Sequence, residues 1–282
     1  MYCYRKSLIF VLIMLFFTPI SAFSLSVDFP HEIKQGEIKL ISVIGVKNVE
    51  GEFLGAKLLF FKDKKGVFKA FIASDILTVE GGKKLTLKGR KINGKVFSLN
   101  KTITIKNGGF QVEELIIEGK TSTPDQNDLK RISREVTVLK ELWGNSSRKK
   151  LLYGDFISPV EKGSVSHNFG FRRVINGVKK SPHSGVDIKS PEGTDVFAIN
   201  EGVVMFADEL FFSGNSIIID HGVGLISMYF HLSKISVMAG EKVKKGDIIG
   251  KVGMTGRATG PHLHLGIRVG NFKVNPEDLI KF

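Results

Sequence analysis

Hydrophobic and polar positions change their rhythm twice along this chain. From about residue 26 to 119, β-rich runs of similar length alternate with turn signals. "EIKLISVIGV", "AKLLFFKD", "GVFKAFIA", "KKLTLKG", "KVFSLNKTITI" and "FQVEELIIEG" are separated by Lys-Lys-Gly, Gly-Gly and Asn-Gly stretches. Runs rich in β-branched and aromatic residues, broken by residues that tolerate tight turns, read as short strands. They predict a small antiparallel sandwich of the immunoglobulin-like kind. His31 stands alone in this part and reads as an ordinary surface residue.

The second rhythm is helical. Thr123-Pro124 supplies a capping Thr and a Pro in the first turn. Leu129, Ile132, Val136, Leu139 and Trp143 then recur every three to four residues and define one apolar face. Gly144-Asn145 ends the run. The spacing predicts a connecting helix over 124–145, with Trp143 packed on a neighbouring domain.

From about 156 to 276 the chain is glycine-rich and again β, as in "EGVVMFAD", "NSIIIDHG", "GLISMYFHL", "GDIIGKVG" and "HLHLGIRV". "RRVINGVKK" carries an Asn-Gly turn and reads as a hairpin. In "GPHLHLGI", alternation puts His262 and His264 on one strand face and Leu263, Leu265 and Ile267 on the other. The two imidazoles then lie about 7 Å apart along the strand, close enough to serve one small site. Taken alone, the pair fits a solvent-facing strand equally well. Six of the seven histidines fall in this part of the chain, which favours a site.

Composition narrows the chemistry. The 282 residues allow about two domains, and 42% hydrophobic content supports real cores. Arg5 and Lys6, the apolar stretch Leu8 to Phe17 and the small residues ending at Ala22 form the pattern of a secretory signal peptide over residues 1–22, with cleavage after Ala22 or Ser24 as the two candidates and an uncleaved membrane anchor as the alternative reading. No other stretch is long and apolar enough to span a bilayer, so no membrane span is expected once the signal is removed. The single cysteine, Cys3, lies in that segment; the mature chain would have no thiolate ligand, cysteine nucleophile or disulfide. Any metal must then use His and carboxylate. The net charge of +13 falls to +11 when Arg5 and Lys6 are removed. A secreted basic protein is drawn to polyanions. No nucleic-acid motif is present, and the secreted location favours cell-envelope polymers.

Three further motifs carry candidate chemistry. In "SPHSGVDIKSPEG", His183 and Asp187 are four apart, but Pro182, Gly185 and Pro191 oppose a helix. A turn running into the strand Val186-Asp187-Ile188 is expected to fold His183 back beside Asp187, a donor pair suited to zinc. In "MYFHLSKI", His231 ends an apolar strand and alternates with Tyr229. His221, in "IDHGVG", is given a structural role, and His167, in "SHNFGFRR", lines a cleft or caps a turn. The set is therefore His183, Asp187, His231, His262 and His264: enough for three metal ligands with an open position and two spare imidazoles for acid–base work.

At this point the chain resembles the lysostaphin-type, or LytM-type, zinc endopeptidases that cut peptide bonds in bacterial peptidoglycan. The resemblance covers residues 156–276 through "FGFRR", "SPHSGVDIKSPEGTDVFA", "GNSIIIDHG", "YFHLSKISV", "GEKVKKGDIIGKVGMTGRATGPHLHLGI" and "VNPEDL". It implies a mainly β chain whose C-terminal antiparallel β-sheet metallopeptidase domain holds Zn2+ through His183, Asp187 and His264. It implies that His231 and His262 are catalytic and that the substrate peptide lies across a sheet groove. It places the protein in the periplasm or cell envelope. Where the family commonly has a small residue beside Phe-Gly, this chain has His167. Competing readings are a non-catalytic activator or wall-binding module, a carboxypeptidase on the same polymer, and a carrier domain suggested by the hairpin in "GEKVKKGDIIGKVG"; a carrier would need an exposed lysine at a hairpin tip and no H-x-H.

Overall fold

The structure, a computed structural model, describes residues 24–282 apart from 117–120, 122 and 180. Residues 1–22, read above as a signal peptide, lie outside the described residues. The described residues are mainly β with one long helix.

The N-terminal part forms β1 (Ser26–Asp28), β2 (Glu32–Lys34), β3 (Ile38–Ile44), β4 (Val46–Phe53), β5 (Ala56–Lys57), β6 (Phe61–Lys62), β7 (Phe68–Ala73), β8 (Gly81–Lys91) and β9 (Val96–Lys106). They assemble as one sheet of order β1-β3-β7-β6 and a second of order β2-β9-β8-β4-β5. All pairs are antiparallel except β2–β9. Ile41, Val43 and Ile72 from the first sheet meet Phe53, Leu85, Leu87 and Ile103 from the second in a fully buried core.

The sixth β-rich run behaves differently. Its strand β10 (Val112–Leu115) joins neither of these sheets. It pairs in parallel with a later strand, as described below.

Helix α1 (Gln126–Gly144) starts two residues later than the Thr123 cap predicts. Asp125 is the N-cap: its carboxylate accepts from the N–H groups of Asn127 and Asp128, and the Asp128 carboxylate accepts from the Asp125 N–H. A charged reciprocal box outcompetes a lone Thr because it satisfies more of the orphan N–H groups and complements the helix dipole. Only the C-terminal half of the expected apolar face is used. Leu139, Leu142 and Trp143 pack on Ile218, Ile226 and Met228, while Leu129 and Val136 stay exposed. The N-terminal half is instead held by polar contacts, with the Glu135 carboxylate accepting from the Phe211 N–H at 3.0 Å and from Arg131 at 2.7 Å.

The C-terminal part comprises β11 (Ser164–Val165), β12 (Arg172–Ile175), β13 (Val178–Lys179), β14 (Gly185–Lys189), β15 (Asp195–Phe197), β16 (Gly202–Leu210), β17 (Gly214–Asp220), β18 (Leu225–Ile235), β19 (Lys242–Val243), β20 (Ile248–Val252), β21 (His262–Val269) and β22 (Phe272–Val274). The main sheet has the order β11-β14-β21-β18-β17-β16-β19 and every pair in it is antiparallel. The hairpin β12–β13 turns at Asn176 and Gly177, both at positive φ, as an Asn-Gly turn requires. β10 pairs in parallel with β12, with Glu113 opposite Arg173.

One face of the main sheet buries Val186, Ile188, Leu263, Leu265, Ile267, Leu225 and Tyr229. Each large aliphatic side chain so buried contributes roughly 1.5–3 kcal/mol. The same core takes in Ile38, Phe71, Ala73 and Ile76 from the N-terminal part. Hydrogen bonds from the Ile38 N–H to Asp278 (3.0 Å), from the Lys273 N–H to Asp75 (2.9 Å) and from the Asn275 N–H to the Gly36 carbonyl (2.8 Å) reinforce that junction. The opposite face carries α1 over Ile218, Ile226 and Met228 and, further along, His264 and Asp187.

Candidate metal centre

Register builds the site. In β14 and β21, Asp187 lies directly opposite His264, and in β18 Phe230 lies on its other side. Alternation along β21 is as the sequence predicts: Leu263 and Leu265 are fully buried in the core, and His262 and His264 share the opposite face. His183 sits just before β14. Its main chain is tied to the preceding loop by N–H donation to the Phe171 carbonyl (2.9 Å) and acceptance from the Gly170 N–H (2.8 Å). That loop folds the imidazole back beside Asp187, with Nε2 at 3.1 Å from Oδ1.

Three atoms converge. His183 Nε2 and His264 Nδ1 are 2.9 Å apart, and Asp187 Oδ1 lies 3.1 and 2.9 Å from them respectively. A tetrahedral ion with bonds of about 2.0–2.1 Å places its ligand atoms about 3.3 Å apart, so this triangle needs only slight expansion to hold one. Two imidazole nitrogens and a carboxylate oxygen, with no thiolate, match borderline metals such as zinc. Among the described residues this is the one cluster of metal-ligating side chains.

The surroundings fix the ligands. His183 Nδ1 donates to the Asn168 carbonyl at 3.0 Å, which leaves the Nε2 lone pair facing the centre. The His264 ring lies parallel to Phe230 at 5.4 Å between centroids. On its other side are Gly185 and Gly266, where a Cβ at 185 would come 2.7 Å from His264 Nε2. Asp187 divides its oxygens: Oδ1 faces the histidines, and Oδ2 accepts from Arg173 (2.8 Å) and Asn168 (3.1 Å). Burial alone would push the Asp187 carboxyl up, but the adjacent His183 and His264 imidazoles hold it well below the usual carboxylate range. Burial lowers His264 to about 4, against the opposing pull of Asp187, so the imidazole is neutral and ready to donate a lone pair.

His231 and His262 complete the site differently. His262 Nδ1 donates to the Gly260 carbonyl and His231 Nδ1 to the Thr255 carbonyl, both at 2.8 Å. Each ring thus keeps Nε2 as its free nitrogen. The rings are 4.9 Å apart, and His262 Nε2 is 3.7 Å from Asp187 Oδ1, farther than either converging nitrogen. Burial, with His264 and His262 nearby, lowers His231 to about 3, so it is a neutral acceptor at working pH.

The strand does not end at His231 as the sequence suggests; it runs on to Ile235. Alternation would point His231 to the core side with Tyr229. Instead His231 has φ of 63°, the register against β17 shifts by one, and Leu232 takes the core position. β18 leaves β21 after Phe230 and takes up β20 at Leu232. This bulge re-aims the imidazole from the core to the site face.

All five predicted residues therefore meet at one place. Asp187, His231 and His262 line a cleft of about 890 Å³, together with Glu113, Arg173 and Arg257, and His183 and His264 lie beneath them. Sequence reasoning gave no role to Asn168, Arg173, Glu113, Thr255, Phe230 or Gly185. "SHNFGFRR" and "HSGVDI" contain three of these, Asn168, Arg173 and Gly185, but nothing in the spacing marks them.

The other histidines lie elsewhere. His167 is exposed and pairs with Glu277 at 2.8 Å. His221 is fully buried, with Nδ1 donating to the Glu201 carbonyl and Nε2 bonded to Ser227 Oγ, each at 2.7 Å. Ser227 in turn shares a 3.1 Å hydrogen bond with the Tyr229 hydroxyl. Burial depresses His221 to about 4, so it is neutral in the fold, while the unfolded chain takes up a proton below about pH 6.5. Its contribution is complete above pH 6.5 and is lost as pH falls towards 4. Between pH 7 and 5 the expected loss is about 2 kcal/mol. Urea unfolding of the wild type and His221→Asn at both pH values checks this: the stability gap between them should shrink on acidification, and an unchanged gap contradicts it.

With this geometry in hand, residues 181–276 match the profile described as Peptidase family M23. Peptidoglycan DD-endopeptidase ShyA of Vibrio cholerae is 43% identical over 119 residues, covering 42% of this chain and 28% of that protein. DD-carboxypeptidase/endopeptidase Mpg of Neisseria meningitidis is 39% identical over 120 residues, covering 43% and 28%. The match thus spans under a third of the length of these curated relatives. A Pseudomonas aeruginosa crystal structure described as an M23 peptidase superposes with a TM-score of 0.64 at 28% identity, covering 87% of this chain and 93% of that one. Through the domain that carries the His-Asp-His cluster, the chain belongs to peptidase family M23.

Proposed function

We propose that this protein is a zinc-dependent endopeptidase that hydrolyses peptide cross-links of peptidoglycan. The observation that carries the reading is the triangle of His183 Nε2, Asp187 Oδ1 and His264 Nδ1, with two further imidazoles opening onto the same cleft. The names of relatives that act on peptidoglycan support the substrate class.

In this reading His183, Asp187 and His264 hold the metal. When bound, zinc supplies Lewis acidity towards the scissile carbonyl and the attacking water. The remaining work belongs to the side chains. His262 and His231 each have Nδ1–H anchored to a carbonyl, so Nε2 is oriented to accept a hydrogen bond from the attacking water. One of them takes the water proton at Nε2 and the proton later leaves on the amine of the departing peptide. The buried His264, stacked on the partly buried Phe230, forms the floor beneath the reacting bond.

Secretion to the periplasm or envelope is part of the same reading and rests on the pattern of residues 1–22. We also read the N-terminal part as immunoglobulin-like. Lettering β1 to β9 in chain order A, A′, B, C, C′, D, E, F, G gives facing sheets ABED and A′GFCC′, which supports it. It would position the peptidase on the wall.

The protein is expected to carry one zinc per chain after mild dialysis and to solubilise purified peptidoglycan. Elemental analysis and dye release from labelled peptidoglycan test both. Bound zinc without hydrolysis would point to a wall-binding or activating role instead; folded protein with little zinc would remove the ligand assignment.

A further inference from the structure

Asp187 has a second set of partners that reaches outside the family match. Its Oδ2 accepts from an Arg173 terminal nitrogen at 2.8 Å, and Arg173 Nε donates to Glu113 Oε2 at 3.0 Å. Glu113 belongs to β10, the strand that precedes α1 and pairs in parallel with β12. In that ladder Glu113 and Arg173 are direct register partners, so the backbone fixes their approach. All three side chains are sheltered, with relative exposures of 26% for Glu113, 22% for Arg173 and 15% for Asp187.

We propose that Glu113 is a positioning residue for the metal centre, acting on Asp187 through Arg173. The inference rests on the reading of Asp187 as a metal ligand. An arginine beside a ligand carboxylate has two effects. Its planar fork fixes the carboxylate orientation, which helps the ligand. Its positive charge lies on the far side of the carboxylate from the incoming cation, which hurts binding. Glu113 resolves the conflict. It pins Arg173 Nε so that the other nitrogen meets Oδ2, and its own charge compensates the guanidinium. Oδ1 is left free to face the two histidines. A strand from before the helix thereby supplies part of the support for a centre whose ligands all lie after residue 180.

The test is zinc affinity, read by competition with a chelating fluorophore, in a double-mutant cycle on the full chain. Glu113→Gln keeps the shape and removes the charge, and is expected to weaken zinc binding by about 10-fold, within the range for lost outer partners of a ligand. The melting temperature of the metal-free protein should change little. In the Arg173→Gln background the same change should cost less than about threefold, because the intermediary is gone. Full zinc affinity in Glu113→Gln overturns the proposal. So does an equal loss in both backgrounds, which would mean that Glu113 acts without Arg173. Failure of the wild type to bind zinc is a different result: it removes the ligand reading itself.

Discussion

His264→Ala is expected to lose zinc, whereas His262→Ala keeps zinc and loses peptidoglycan hydrolysis by on the order of 100-fold or more. The two residues share one strand face and are separated by a single residue in the same motif, so their roles differ only through geometry. His264 Nδ1 sits at 2.9 Å from both His183 Nε2 and Asp187 Oδ1. Removing it leaves two ligand atoms, too few to hold the ion against water. His262 Nε2 stands off at 3.7 Å from Asp187 and is aimed by the Gly260 carbonyl. Removing it leaves the triangle intact and takes away a proton acceptor. His231→Ala should behave like His262→Ala, since the Thr255 carbonyl orients it from outside the triangle. Zinc content and hydrolysis measured together on the three variants decide the matter. Release of metal by His262→Ala with retention by His264→Ala would reverse the roles, and unchanged metal and activity in all three would place the site elsewhere.

Gly185→Ala should remove both metal binding and much of the stability, although it adds a single methyl group. A Cβ at this position would lie 2.2 Å from the Leu265 carbonyl oxygen and 2.7 Å from His264 Nε2. Neither neighbour can give way cheaply. The carbonyl belongs to the backbone of β21, which pairs with β14 through Gly185 and Gly266, and the ring is backed by Phe230. Relief requires β14 and β21 to part, which separates Asp187 from His264. The expected cost is about 3 kcal/mol or more, at the upper end for overpacking. Gly144→Ala, at the helix end with open space around it, should change stability little and serves as the control. Thermal unfolding and zinc titration read the outcome; wild-type values for Gly185→Ala would mean that the β14–β21 contact is looser than described.

The site was legible in the sequence where local periodicity governs it, and illegible where long-range pairing does. His262 and His264 share a face because a strand alternates, and the leucines between them say which face is buried. His183 and Asp187 come together through a turn whose Pro and Gly residues are visible in "SPHSGVDIK". His231 obeys no such rule. Its period places it with Tyr229, and only the bulge at φ 63° brings it to the site. That bulge exists because β18 changes partner from β21 to β20, a fact of topology. β10 is a similar case. "FQVEELIIEG" reads as one more strand of the N-terminal part, yet β10 pairs with β12, sixty residues on in the register of Val112 to Arg172. The helix was found by its spacing, but its face was overestimated. Leu129 and Val136 have the right period and remain exposed, because Arg131 and Glu135 dock that half through charge and hydrogen bonds.

The most direct test of zinc-dependent cross-link hydrolysis is mass spectrometry of the fragments released from purified, cross-linked peptidoglycan by the protein as isolated, after chelation, and after zinc is restored. Hydrolysis of the cross-links predicts that cross-linked dimers convert to monomers with the gain of one water per cut, that chelation stops the conversion, and that zinc restores it. Dimers that persist in the presence of zinc-loaded, folded protein, or that disappear equally well after chelation, would contradict it.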